Sequence, residues 1–530
     1  MPFLSQNRVP QAILHQKVPF LSQNREQNRE QIGETATDLS GKTLYLYLRG
    51  NNLKITDMKL RYLLAGMLLC GATAVASAQS IGEQELAQIK GSFVKDAHTV
   101  AVQNILLGDA NIKGKTKDLS KVNEVDHFFK YRVDVKGITN QLQSGRCWMF
   151  TSMNALRPTA QKKYDYSKFD FSHNYNYFWD IFEKANLYLE NIIRTAGKDI
   201  TDEEVVWYIK SPVADGGVWN LFYNLGEKYG VVPQEVMPET AHSNNTGQLL
   251  STLNRYLKKA GWDIRQLYAE KTANIKKNNK KAQQELEAAM KEAKIAALKD
   301  VYRVLALCLG EPPTEFTWKY KNNKGEVVTV KSTPKEFYAG LVPENYNPQN
   351  YIMIMNDPTR EYYKVYDIAN YRNTIEGINW VYLNLPNDVI KEAVLKSIKA
   401  NEPLYASCDV GKESDTKTGV CNPDMYDYES LLGINLDMDK KARILTRYSG
   451  SSHAMLIMAC DTDENDKPVK WQFENSWGVT SGHNGYLTFT DEWFNEYMFR
   501  IVINKKYLGQ KEIEAAAQTP VVLPAWDYMW

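Results

Sequence analysis

Asn140-Gln141-Leu142-Gln143-Ser144-Gly145-Arg146-Cys147-Trp148-Met149-Phe150 runs on through Thr151-Ser152-Met153-Asn154-Ala155-Leu156 to Arg157-Pro158. A Ser-Gly pair stands just before a cysteine, and an apolar-rich run follows it. The stretch reads as a loop delivering Cys147 to the first turn of a buried helix that ends before the proline. First-turn N–H groups lack partners inside the helix and carry partial positive charge. A thiolate is therefore favoured over a thiol at that place. Upstream, Gln141 can turn its side-chain N–H towards an oxyanion forming beside the sulfur. A buried structural cysteine is the competing reading; the loop and helix context favours a nucleophile.

At 530 residues the chain is long enough for more than one core, or for one catalytic fold with large insertions. Its 43% hydrophobic and 12% aromatic content mark it as globular rather than disordered. A net charge of +1 argues against a generally nucleic-acid-binding surface. Six cysteines (Cys70, Cys147, Cys308, Cys408, Cys421, Cys460) are widely scattered, with no CxxC pair and no metal-ligand spacing. Neither a disulfide framework nor a metal site is indicated, and no cofactor is implied.

Residues 1–57 differ from the rest. Pro-Phe-Leu-Ser-Gln-Asn-Arg occurs at 2–8 and again at 19–25, without apolar periodicity. This part reads as disordered, or as sequence placed before the true start. Residues 58–78 read as a signal peptide: Lys59 and Arg61, an apolar run from Leu63 to Val75, then Ala76-Ser77-Ala78 before Gln79. Export to the periplasm or medium follows if that signal is used, with a cytoplasmic protein as the alternative if Met1 is the start. The apolar run is too short for a stable membrane span. Leu68-Leu69-Cys70-Gly71 hints at lipidation, but Leu69 stands where a small residue is expected.

From 79 to 530 the chain reads as one catalytic domain. A leading helix and loops precede Tyr131-Arg132-Val133-Asp134-Val135, a short alternating strand. Residues 169–195 have helical period, with Tyr177, Phe178, Ile181, Leu187 and Leu189 on one face. Asp215-Gly216-Gly217-Val218-Trp219-Asn220 is either a tight turn or a substrate-cleft wall that needs close backbone approach, with a helix over 220–229 after it. About 250–385 reads as a helical and hairpin insertion, with the hairpin at 318–332. Its run Lys276-Lys277-Asn278-Asn279-Lys280-Lys281 sits beside Glu285, Glu287 and Glu292 and reads as a solvated helix face rather than a nucleic-acid patch. After a helix over 389–400, strands 404–408, 454–458, 469–475, 485–489 and 500–503 form a mostly antiparallel sheet or barrel in the part 386–510. The fold class is thus α+β, with a helical half over about 130–250.

Cysteine catalysis needs a base to hold the proton and a group that fixes the tautomer of that base. His453 stands in Ser451-Ser452-His453-Ala454-Met455 at a strand start. Asn475 stands in Glu474-Asn475-Ser476-Trp477-Gly478 at the end of a neighbouring strand. The Asn475 amide can accept from one imidazole nitrogen and leave the other facing sulfur, and Trp477 can shield that bond from water.

These stretches resemble the three signatures of the papain-like cysteine peptidases. Gly145-Arg146-Cys147-Trp148 is similar to one branch, the bleomycin hydrolase or aminopeptidase C group. Further matches are Asn174-Tyr175, Tyr177-Phe178-Trp179-Asp180, Asp215-Gly216-Gly217 with Trp219, Cys408-Asp409-Val410-Gly411-Lys412 and Asp491-Glu492-Trp493. The resemblance covers roughly Ser92 to Trp530. It implies a papain-like two-lobed fold, helical lobe plus antiparallel β-barrel lobe, with large helical insertions. By motif match it implies Cys147 as nucleophile, His453 as general base and acid, Asn475 as orienter of His453 and Gln141 as oxyanion donor. Gly216, Gly217, Trp219, Trp477 and Trp530 are the expected substrate-binding residues. The resemblance also implies peptide substrates, homohexamers, and a C-terminal tail (511–530) in the cleft whose carboxylate meets the substrate amine. Two departures stand out. Cys147 and His453 are much further apart in the chain than is usual for papain, which large insertions explain. Leu523-Pro524-Ala525-Trp526-Asp527 matches the group's ending, but the chain stops at Trp530, where members continue. Release of longer pieces or endopeptidase action is therefore an alternative to aminopeptidase action, and an inactive scaffold on the same fold is a second one.

Overall fold

In the computed structural model, residues 80–528 are described, apart from 135, 274–278 and 342–346. The expected signal at 58–78, the stretch 1–57, Cys70, Trp530 and the lysines Lys276 and Lys277 lie outside the described residues. The chain divides into two units, 1–99 and 100–530. The described part of the first carries the exposed helix Glu83–Gly91.

In the second unit, the helix Cys147–Lys163 forms around the predicted run, with Trp148, Met149, Met153 and Leu156 buried. It does not stop at Pro158, which lies inside it. A proline costs the helix one backbone hydrogen bond; here burial of Arg157 and Ala160 holds the turn on either side. The helix His173–Arg194 starts where the Ser172 hydroxyl accepts from the Tyr175 N–H, a sound cap for its 22 residues. Trp219–Tyr229 follows the glycine pair. Two long helices, Gly247–Thr272 and Lys280–Leu309, pack against each other and on His173–Arg194. The Asn279 side chain caps the second by accepting from the Ala282 N–H, so the lysines after it lie on an exposed helical turn. The hairpin Phe316–Lys321 with Val327–Ser332 forms a sheet of its own.

The main sheet has 12 strands. Its spatial order is Val521–Leu523, Lys364–Ile368, Trp380–Asn384, Tyr351–Met355, Met498–Asn504, Leu404–Cys408, His453–Thr462, Pro468–Glu474, Tyr486–Thr490, Val420–Cys421, Ser414–Asp415, with Tyr131–Arg132 beside His453–Thr462. The sheet is mostly antiparallel, as expected, with three parallel pairings: Tyr351–Met355 with Trp380–Asn384, Tyr486–Thr490 with Val420–Cys421, and Val521–Leu523 with Lys364–Ile368. One expectation changes here: the block 250–385 ends in three strands that belong to this sheet and not to a separate insertion. Tyr351–Met355 is apolar throughout and almost wholly buried, the pattern of a strand covered on both faces. Among the described residues, the strand expected over 131–135 covers Tyr131–Arg132, although the Val133 N–H still donates to the Met458 carbonyl at 2.8 Å.

The Cys147 helix packs along His453–Thr462 and Leu404–Cys408. A buried ion pair ties the same layers together: Arg157 Nη2 lies 2.7 Å from Glu474 Oε1. Among the described residues, no helix is long and apolar enough to cross a membrane.

Candidate active site

Cys147 is the first residue of its helix, and the loop before it is tightly held. The Gly145 N–H donates to Asp215 Oδ2 at 2.6 Å, and Thr246 Oγ1 donates to the same oxygen at 2.5 Å. A Cβ on Gly145 would stand 2.4 Å from Asp215 Oδ1, so only glycine lets this carboxylate in. Arg146 is buried against Glu239 at 3.0 Å and lies over the Phe150 and Tyr177 rings. The glycine pair has a packing reason as well. A Cβ on Gly217 would stand 2.7 Å from the Trp148 ring, and the Trp148 indole N–H donates to the Asp215 carbonyl at 2.7 Å.

His453 opens its strand opposite Cys408. The next strand runs antiparallel, with Leu456 opposite Glu474, so Asn475 emerges beside the start of the His453 strand. His453 Nε2 is 2.8 Å from Asn475 Oδ1. The same oxygen accepts from the Ser476 N–H at 2.8 Å. A main-chain N–H can only donate, so this atom is the amide oxygen and His453 Nε2 carries the proton. Nδ1 is left as the basic nitrogen. The Trp477 ring lies tilted over this bond, 4.7 Å from the imidazole centre. The Ala454 N–H, in the residue after His453, lies close enough to the Cys147 sulfur to favour its thiolate. The helix tip and the strand start therefore meet.

Gln141 is oriented from both sides. Its Oε1 accepts from Ser476 Oγ at 2.6 Å, and its Nε2 donates to the Ser144 carbonyl at 2.6 Å. One amide hydrogen remains for another acceptor. The other candidates divide. Gly216 borders a cavity beside this site, and its carbonyl accepts from Lys184 Nζ at 2.7 Å. Trp219 is 4% exposed within the core, so it supports the wall from behind rather than offering a surface. Trp530 lies outside the described residues. Nearby, the described tail is anchored: Tyr528 Oη lies 2.5 Å from Thr359 Oγ1, and Asp527 pairs with Arg360.

Burial pushes the Cys147 thiol up to about 11, with the N–H groups of Ala454 and Trp148 pulling it back and the Asp215 charge adding to the rise. Burial also pushes His453 down to about 4, against the Asn475 bond. Both shifts favour neutral forms. Burial thus opposes the thiolate that the helix end and the two N–H groups favour. Above pH 6.5 the imidazole is neutral in folded and unfolded chains alike. As pH falls from 6.5 towards about 4, the unfolded chain gains a proton that the folded chain does not, so stability is lost across that window. His453→Gln should lose less stability over the same range, as measured by urea denaturation in a pH series.

Sequence reasoning quoted Asp215 but missed its clamp on Gly145. It also missed Ser476 as the partner of Gln141, and the Arg157–Glu474 pair behind Asn475. Only the Asp-Gly-Gly string hinted at the first.

The Peptidase C1-like family model matches residues 80–530. Aminopeptidase C of Lactobacillus delbrueckii subsp. lactis is 36% identical over 423 residues, 79% of this chain and 90% of that protein. Human bleomycin hydrolase is 32% identical over 470 residues, 86% of this chain and 99% of that protein. The crystal structure of PepW from Lactobacillus rhamnosis superposes with a TM-score of 0.79 at 32% identity, covering 86% of this chain and 99% of that one. The fold is therefore papain-like α+β, and the chain belongs to the Peptidase C1-like family.

Proposed function

We propose that the chain is a cysteine-type aminopeptidase of the bleomycin hydrolase kind, with Cys147 as nucleophile, His453 as base and acid, Asn475 as orienter and Gln141 as oxyanion donor. The observation that carries this is the His453–Asn475 bond at the start of the strand against which the Cys147 helix packs, with the Ala454 N–H close to the Cys147 sulfur. Cys147 attacks the scissile carbonyl carbon while its proton passes to His453 Nδ1. The carbonyl oxygen becomes an oxyanion, which the free Gln141 N–H stabilises. His453 then gives the proton to the leaving amine, and the C–N bond breaks to leave a thioester. Water, deprotonated by His453, attacks the thioester and releases the acid and the thiol. Asn475 holds the imidazole in the tautomer that each transfer needs.

Aminopeptidase action is supported by the relatives named aminopeptidase C, and the described tail is held at Asp527 and Tyr528 on Arg360 and Thr359. The tail and Trp530 then meet the free amine of the substrate, while Gly216, Gly217 and Trp477 wall the cleft. An unblocked peptide and its N-acetylated twin, followed by mass spectrometry, test this. The unblocked peptide should shorten from its N-terminus one residue at a time, and the acetylated twin should stay whole. Cleavage of the acetylated peptide would mean endopeptidase action. The domain reading proposed is a peptidase domain over 79–530 after a cleaved signal at 58–78, assembled as a homohexamer. N-terminal sequencing of the exported protein at Gln79 and native mass spectrometry check these two points.

A further inference from the structure

Beside Gly216 lies a cavity of about 460 Å³ that the catalytic scheme does not use. The helix His173–Arg194 forms one wall and the helix Glu203–Lys210 a second. The turn after Lys364–Ile368 closes it with Tyr371 and Arg372. Ala214 and Gly216, which line it, flank Asp215, whose carboxylate holds Gly145 two residues before Cys147.

Its charge is one-sided: Lys184, Lys210 and Arg372 line it, and no acidic side chain does. Lys184 is committed, bonding Asp180 at 2.6 Å and the carbonyls of Ala214 and Gly216 at 2.8 and 2.7 Å. The other two cations are not so matched. Lys210 lies over the Trp207 ring at 6.0 Å. Arg372 Nε is buried with no hydrogen-bond partner among the described residues. A buried donor left unpaired is costly, and a ligand carboxylate relieves that cost. Asp367 lies near enough for its charge to interact with that of Arg372, which pulls down the carboxyl that burial pushes up. The walls are set in advance. Asn370 sits at φ 60 and donates to Tyr208 Oη at 3.2 Å, while that hydroxyl donates to Glu204 Oε1 at 3.2 Å.

We propose that this cavity is a substrate subsite that takes an acidic peptide side chain, its carboxylate held by Arg372 and Lys210 and its stem lying on Trp207 and Tyr208. The proposal deepens the peptidase reading and rests on it. The test uses peptides that differ only by Glu or Gln at position one, two or three. kcat/KM is measured with the full chain, and binding by calorimetry with the Cys147→Ala chain. At one position Glu should exceed Gln by about tenfold in both measurements, one charge-assisted hydrogen bond. Arg372→Gln and Lys210→Gln should each bring that ratio below about threefold, and added salt should shrink it in the unsubstituted chain. Cleavage of all peptides with a ratio near one at every position overturns the subsite while leaving the peptidase reading intact. So does an acid preference that survives both substitutions. Absence of any cleavage by the unsubstituted chain refutes the peptidase reading, and the subsite with it.

Discussion

Cys147→Ala should lower peptide hydrolysis by about 10⁴-fold or more, with folding and assembly unchanged. Removing the nucleophile removes the covalent route, and the remaining groups (Gln141, His453, Asn475) supply only binding and polarisation. The fold has little reason to respond. Cys147 is only partly buried, and the loop before it is held by Asp215 through Gly145 and by Glu239 through Arg146, not by the sulfur. Steady-state kinetics with an unblocked peptide, beside a thermal melt, separate the two effects. Turnover retained in a normally folded Cys147→Ala chain would end the assignment of the nucleophile.

Arg157→Ala should lower stability by about 3–5 kcal/mol, the cost of leaving a buried charge without its partner. Arg157 is 2% exposed and bonds Glu474 at 2.7 Å, Asn154 Oδ1 at 2.8 Å and the Gly137 carbonyl at 3.0 Å. Burial already pushes the Glu474 carboxyl up to about 7 against the pull of Arg157. Without that guanidinium the carboxylate must take up a proton or draw in water. Glu474 directly precedes Asn475, so the disturbance should reach the imidazole as well. A urea titration followed by intrinsic fluorescence, together with kcat at a temperature where the variant remains folded, reads both effects. A stability change below about 1 kcal/mol would mean that the pair is replaceable.

The catalytic candidates were legible because each lies inside a local string that carries its own chemistry. Ser144-Gly145 before Cys147 marks a loop entering a helix. His453 and Asn475 stand at strand ends that an antiparallel register brings level. The helix His173–Arg194 was legible from its period, while the Ser172 cap that starts it later than 169 was not read. Other features depend on contacts between distant parts of the chain. The Asp215 clamp joins residues 70 positions apart. The strands Tyr351–Met355, Lys364–Ile368 and Trp380–Asn384 are short and set among turns, and nothing local says that they extend a sheet most of whose other strands come later. Pro158 looked like a stop because the compensating burial of Arg157 and Ala160 is tertiary. The pull of burial against the thiolate was illegible for the same reason: a helix tip is visible in sequence, while the water it loses on folding is not.

The reactivity of Cys147 towards a peptide-based thiol-alkylating reagent, followed by mass spectrometry at pH 7 in the unsubstituted chain and in His453→Ala, bears most directly on the shared proton. Alkylation confined to Cys147 and slowed by about a hundredfold or more when the imidazole is removed is the expected result. Equal rates in the two chains would contradict the pairing of Cys147 with His453.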